Sequence, residues 1–336
     1  MSQSLVYRDC PVCGSNAAQS HWQKGELHLG RCGNCGMVYA NPVPSEMATG
    51  EFYDAAGTDY YLSPAKLQSD YADVRFEREL RLFRKHCRGG AVLDVGCSSG
   101  AFLFQLRKRW PADYQILGTD VSGPPLDYAE SRGVPVMRGN FLEQDFVGKL
   151  QIEAVAPHPA SGHPLPIRWG EGRGEGIPPI RFDAVTFWAV LEHLAEPKLF
   201  LEKAHSLLKP GGLCLVLVPN FNSLATRLLG VRYRYVYPQH LNYFTRTTLS
   251  RLAVGRFEVV AARFTHFNPV VIWQDWRGDG REVSNAERGE LLQRTTALKQ
   301  KPWMKPVKGL YGLAEKALGS IGLADNVVVV MRRPKQ

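Results

Sequence analysis

The sequence predicts an α/β fold in which a mostly parallel sheet of seven strands follows a small N-terminal zinc ribbon, and three observations carry that prediction. Between residues 76 and 265, apolar runs of strand length alternate with amphipathic segments of helix length, the pattern of a sheet wound through crossover helices. One strand-to-helix turn is rich in glycine: Asp94-Val95-Gly96-Cys97-Ser98-Ser99-Gly100. Four of the seven cysteines form two C-x-x-C pairs, Cys10-Pro11-Val12-Cys13 and Cys32-Gly33-Asn34-Cys35, separated by 18 residues.

Composition sets the outer limits. A chain of 336 residues with 44% hydrophobic content supports one large core with attachments. The formal charge of +9 suits an anionic partner without choosing among nucleic acid, nucleotide sugar and membrane surface. No apolar run approaches the ~20 residues that span a bilayer. Met1 to Tyr7 has neither a basic start nor an apolar signal region, so the expected location is cytoplasmic. Disulfides are disfavoured there, and the paired thiols are read as a structural Zn2+ site with Cys10, Cys13, Cys32 and Cys35 as ligands. Cys87, Cys97 and Cys214 are read as small packing residues.

Taken in order, residues 1–44 form the ribbon, with Leu27 to Arg31 as a strand leading into the second knuckle. With four thiols present, His21 and His28 are read as surface residues. Residues 45–75 are a linker containing Phe52-Tyr53-Asp54 and Asp59-Tyr60-Tyr61, either packing or a partial lid. Phe76, Leu80, Phe83 and Cys87 mark an amphipathic helix, and Val92 to Val95 the first sheet strand. Gly96 and Gly100 remove side chains where backbone must approach a ligand, and the helix from Ala101 points free N–H groups at the same place. A second strand, Gln115 to Asp120, ends in an acid placed to accept hydrogen bonds from ribose hydroxyls. Ser122 is read as the N-cap of the next helix, with Pro124 and Pro125 in its first turn. Val134 to Phe141 is the third strand and its exit.

Residues 151–180 hold six prolines and five glycines with no apolar period, so they are read as an exposed insertion, with His158 and His163 in it. Phe182 to Trp188 is the fourth strand, Pro197 starts a helix, and Leu213 to Val218 is the fifth strand. The last strands are Phe257 to Phe264 and Asn326 to Met331, with Asp275 to Gly280 as a turn. Residues 266–336 are otherwise helical pieces interrupted by Pro302 and Pro306. There, Lys299, Lys301, Lys305 and Lys308 surround Trp303, Leu310 and Tyr311. This is a solvated face of a packed helix or, alternatively, a peripheral membrane contact.

The Asp94-x-Gly96-x-Ser98-x-Gly100 loop, Val190-Leu191-Glu192-His193 after the fourth strand and Leu208-Lys209-Pro210-Gly211-Gly212 before the fifth resemble class I S-adenosylmethionine (SAM)-dependent methyltransferases, with Ser98 in place of the middle glycine. The ribbon, Val218-Pro219-Asn220 and His240-Leu241-Asn242-Tyr243-Phe244-Thr245 are most similar to the subgroup related to deoxysugar C-methyltransferases and quinone-pathway O-methyltransferases. The resemblance implies a Rossmann-like core over residues 76–265 and SAM as cofactor. It implies cofactor contacts from Asp94, Gly96, Cys97, Ser98, Gly100, Asp120 and Val121, from Asn140 and Phe141 at the adenine, and from Phe187 and Trp188 at the methionine amino group.

Transfer to a hydroxyl or a sugar carbon needs a base, and His240 and His193 are the histidines on site-facing motifs. His240 is preferred, since it follows the fifth strand at the carboxyl side of the sheet, with a structural role near Thr245 as its alternative. Tyr243 is placed to orient the acceptor or assist proton transfer. The expected acceptor is a small molecule or sugar intermediate. An RNA methyltransferase holding RNA on the ribbon is the alternative enzyme. Trp188-Ala189-Val190-Leu191 argues against it, being unlike the N-P-P-Y motif of amine methylation on bases. A non-catalytic SAM-binding scaffold is the third reading.

Overall fold

A computed structural model describes residues 4–50, 52, 61–121, 123–146, 181–278, 287, 289, 291, 293–294 and 305–335. Ser122, Tyr53, Asp54, Asp59, Tyr60, the insertion 151–180 with His158 and His163, and Lys299, Lys301 and Trp303 lie outside the described residues.

The N-terminal module contains β1 (Leu5–Val6), β2 (Ala18–Lys24), β3 (Leu27–Cys32), β4 (Val38–Ala40) and β5 (Val43–Pro44). After it come β6 (Gly90–Val95), β7 (Tyr114–Asp120), β8 (Val136–Arg138), β9 (Phe182–Trp188) and β10 (Leu208–Pro219). The short β11 (Asn242–Tyr243) precedes β12 (Glu258–Thr265) and β13 (Asn326–Arg332). Seven of these build one sheet in the order β12-β13-β10-β9-β6-β7-β8. The pairs β10/β9, β9/β6, β6/β7 and β7/β8 are parallel, and β13 runs antiparallel to both neighbours. Central strands of such a sheet are covered on both faces and read as unbroken apolar runs. Leu213 to Val218 in β10 are all buried.

The chain leaves β6 on one side towards β7 and β8, then returns to place β9 on the other. That reversal leaves a crevice beyond the carboxyl ends of β6 and β9, where open α/β sheets bind ligands.

Two expectations change. Asp275-Trp276-Arg277 closes a helix, Pro269–Arg277, and does not form a turn. Asn268 caps that helix by accepting from the Val271 N–H at 3.2 Å, and Asp275 is held by Arg234 at 2.6 Å. Pro306 does not interrupt the C-terminal helix, because it lies in the first turn of Lys305–Ser320, where its missing N–H costs nothing. No described helix is long and apolar enough to cross a membrane.

The N-terminal module is built into the core. Its four-stranded sheet has the order β11-β4-β3-β2, so its fourth strand comes from residues 242 and 243. Leu27, Leu29, Val38 and Ala40 share one buried cluster with Tyr233, Val236, Leu241 and Tyr243. Arg251 adds a 2.6 Å bond to the Cys35 carbonyl.

Candidate active site

A cleft of about 880 Å3 opens at the crevice. That lies in the upper part of the ~300–1,000 Å3 range of ligand sites, enough for a nucleotide cofactor and a small second ligand. Asp94, Gly96, Cys97, Ser98, Asp120, Val121, Asn140, Phe141 and Trp188 all line it.

The glycine loop makes one wall. Gly96 and Gly100 have φ of 72° and 74°, and Ser98 is left-handed at 49°. Holding a serine there costs backbone strain, offset by the Ser98 N–H donating to Asp120 Oδ2 at 2.7 Å. The other Asp120 oxygen accepts from the Val121 N–H at 2.7 Å, so the acid at the end of β7 fixes the loop. A side chain at Gly96 would strike Val190, and one at Gly118 would strike the Cys97 sulfur, which explains both glycines. Cys97 fills the space over Gly118 and is a packing residue as much as a lining one. Asp94 is buried; it accepts from the Thr186 hydroxyl at 2.7 Å, and burial raises its pKa to about 8. Gly100 starts the helix Ala101–Arg109 without a side-chain cap.

A second part of the lining joins two segments remote in sequence. After β9, Ala189 turns left-handed at φ 57° and a 3-10 turn, Leu191–His193, follows. Glu192 and His193 line the cleft beside His240. A Glu192 carboxylate oxygen and one ring nitrogen of each histidine lie within 4.8 Å of one another. The rings of His193 and His240 meet edge to face with centroids 4.9 Å apart. His193 Nδ1 lies 2.8 Å from the Gln239 carbonyl and His240 Nδ1 3.0 Å from that of Tyr235. Each Nδ1 therefore donates its proton to a carbonyl, which makes Nε2 the basic nitrogen. Glu192 is 1% exposed, its Oε2 has no partner among the described residues, and burial raises its pKa to about 8. Together they can hold and exchange a proton, or hold a cation.

Two expected positions are placed differently, and a third has a further partner. Tyr243 is buried outside the cleft, in β11, and its hydroxyl donates to the Tyr237 carbonyl at 3.2 Å. Phe187 is fully buried core, and only its neighbour Trp188 reaches the cleft. Asn140 lines the cleft, but its amide oxygen accepts from the Leu142 N–H at 3.0 Å, closing a local turn. The Trp188 indole N–H is buried with no acceptor among the described residues. Glu192 stands beside His193 in the sequence with no signal that marks it as a site residue; burial turns that carboxylate into a titrating group near neutrality. Tyr235, Tyr237, Phe52 and Tyr61 complete an aromatic lining that carries no recognisable spacing.

In the ribbon, Cys10 Sγ and Cys35 Sγ are 3.4 Å apart, Cys13 and Cys32 are 3.6 Å apart, and all four sulfurs lie within 4.8 Å of one another. The knuckle glycines Gly14 and Gly36 are left-handed, and each donates its N–H to the first cysteine carbonyl of its pair. His21 stacks on Trp22, and neither it nor His28 belongs to the cluster.

A family model described as a methyltransferase domain matches residues 67–257, more than half of the chain. Among curated proteins, an uncharacterized methyltransferase of Emericella nidulans is 33% identical over 133 residues, 37% of this chain and 40% of that protein. A ubiquinone biosynthesis O-methyltransferase of Bradyrhizobium diazoefficiens is 30% identical over 168 residues, 49% of this chain and 54% of that protein. The chain thus spans about half the length of these relatives, or less. Among solved structures, a SAM-dependent methyltransferase of Thermotoga maritima aligns with a TM-score of 0.48 at 15% identity, covering 85% of this chain and 99% of that one.

Proposed function

The chain belongs to the methyltransferase-domain family, and on that premise we propose that it transfers a methyl group from SAM to an oxygen or carbon of a small molecule or sugar intermediate. The observation that carries the reading is the convergence of Glu192, His193 and His240 in the same cleft as the Gly96–Ser99 loop. SAM, when bound, supplies an electrophilic methyl on a sulfonium.

The chain supplies position and a proton acceptor. Asp120 is at hand for the ribose, and the Trp188 ring lines the same cleft. His240, only 4% exposed and hemmed in by Tyr237 and His193, takes the acceptor's proton at Nε2. Glu192, with its raised pKa, exchanges a proton with the pair near neutral pH. Aromatic walls at Tyr235, Tyr237 and Trp188 suit the flat face of a ring-shaped acceptor.

The ribbon cysteines fit a structural zinc ion. Tetrahedral Zn2+ with Zn–S near 2.3 Å places sulfurs about 3.8 Å apart. The 3.4 and 3.6 Å separations approach that edge and far exceed the ~2.05 Å of a disulfide. Four reduced thiols of this kind suit a cytoplasmic setting.

Labelled SAM, the purified protein and an extract from cells lacking it provide the test. Label in nucleotide sugars or other low-mass material is the expected result. Label in nuclease-sensitive material overturns it in favour of RNA.

A further inference from the structure

The 3-10 turn that carries Glu192 and His193 is three residues long, follows the left-handed Ala189, and is too short to hold its own shape. Its shape is imposed by the Gln239–Asn242 segment through four hydrogen bonds. His193 Nδ1 meets the Gln239 carbonyl at 2.8 Å, and the Leu241 N–H donates to the Glu192 carbonyl at 2.7 Å. Asn242 Nδ2 donates to the Leu191 carbonyl at 2.8 Å and to the Leu194 carbonyl at 2.6 Å. Within the turn the Leu191 carbonyl accepts only a long 3.4 Å bond from the Leu194 N–H, and the Leu194 carbonyl lies past the turn's end, where a helical turn supplies no partner.

Asn242 is itself held from the N-terminal module. Its Oδ1 accepts from Arg8 Nη2 at 2.7 Å, and its backbone pairs with Tyr39 in β4. An amide whose oxygen faces a guanidinium must turn its NH2 the other way, towards the turn. Arg8 is anchored in turn by Asn41, whose side chain accepts from the Arg8 N–H and donates to the Arg8 carbonyl, both at 3.1 Å. The Arg8 guanidinium lies 5.5 Å from the centre of the Tyr39 ring. Burial lowers its pKa to about 10, which leaves it cationic at neutral pH. Asn242 is 2% exposed, and a buried amide with both ends engaged holds its neighbours in one arrangement.

We propose that Asn242 and Arg8 are a positioning pair: Asn242 holds the Glu192–His193 turn against the His240 segment, and Arg8 fixes the orientation of Asn242. Neither residue touches the cleft, so both act through the turn. The N-terminal module is then part of the machinery that aims the histidines. The inference rests on the methyltransferase reading only in treating that turn as catalytic.

The test uses the full chain with 15N-labelled histidine, S-adenosylhomocysteine binding as the check on folding, and Asn242→Asp, Arg8→Met and Arg8→Lys. Asn242→Asp keeps the shape and the Arg8 partner but sets an oxygen against two carbonyls. The expected result is a displaced His193 ring-nitrogen resonance and turnover lowered about tenfold or more, the equivalent of one or two hydrogen bonds. S-adenosylhomocysteine affinity should stay within about threefold, since the glycine loop is untouched. Arg8→Met should move the same resonance in the same direction, and Arg8→Lys, which keeps a cationic donor, should restore most of it. A wild-type His193 signal in folded Asn242→Asp overturns the proposal. So do indistinguishable spectra for Arg8→Met and Arg8→Lys, which decide the matter if Asn242→Asp does not fold. If the wild type binds no S-adenosylhomocysteine, the methyltransferase reading fails, while the His193 resonance still decides the positioning role.

Discussion

The two walls of the cleft are made in opposite ways. The glycine-loop wall comes from one β6-helix-β7 unit: Gly96, Ser98, Gly100 and Asp120 lie within 25 residues, and the Asp120 side chain that fixes Ser98 belongs to the same unit. The histidine wall is assembled from the turn at residues 191–194, the segment 235–242 and Arg8, across 234 residues of sequence. The first wall is local geometry imposed by glycine and a strand end. The second exists only when the N-terminal module, β11 and the turn are docked together. The contrast teaches that cofactor binding should survive changes that abolish transfer, because Asp120 shapes the loop whereas Asn242 and the 239–241 backbone shape the turn.

The sharpest way to break the contrast is His240→Ala. Removing a general base typically costs about 100-fold to 10,000-fold, so turnover should fall by at least about 100-fold. S-adenosylhomocysteine affinity, read by calorimetry, should hardly move. Unchanged turnover would remove His240 as the base, and a parallel loss of affinity would join the two walls. The converse is Asp120→Ala. Losing the carboxylate that fixes Ser98 should weaken cofactor binding about tenfold to 100-fold, the worth of charge-assisted hydrogen bonds. The His193 and His240 resonances should stay in place.

A third effect is in stability against pH. Glu192 titrates near the ordinary carboxyl value of 4.5 when unfolded and at about 8 when folded. Below 4.5 both states hold the proton. Between 4.5 and about 8 the unfolded chain releases a proton that the folded chain keeps, so stability falls as pH rises and levels off above 8. Each such group contributes a slope of at most about 1.4 kcal/mol per pH unit. Asp94, raised from 3.8 to about 8, acts in the same direction from the other wall. Denaturant unfolding from pH 5 to 8 should therefore show a shallower decline in Glu192→Gln than in the wild type. Equal slopes would mean that the Glu192 carboxyl is not held protonated.

Within the sequence, the alternation of apolar runs and amphipathic segments determined the parallel sheet, and six strand starts from β6 to β13 agree with it within two residues. The glycine loop, Asp120 and the four ribbon cysteines were legible because each group lies within a single strand-helix-strand or hairpin unit of about 25 residues, whose strand pairing brings them together. The Val190-Leu191-Glu192-His193 and His240 phrases were legible as motifs, but not their meeting. Tyr243 shows the limit most clearly. Its place three residues after His240 suggested a site residue, but pairing with Val38 in β4 turns it into the core. That pairing joins residues some 200 apart, and no local period encodes it. Tertiary structure alone decided that Glu192 is buried enough to titrate near 8, that Asn242 faces the turn and not solvent, and that the ribbon borrows a strand from the core. The physical reason is common to all three: burial and hydrogen-bond partnership depend on what packs from the far end of the chain, whereas strand, helix and knuckle depend on the nearest few residues.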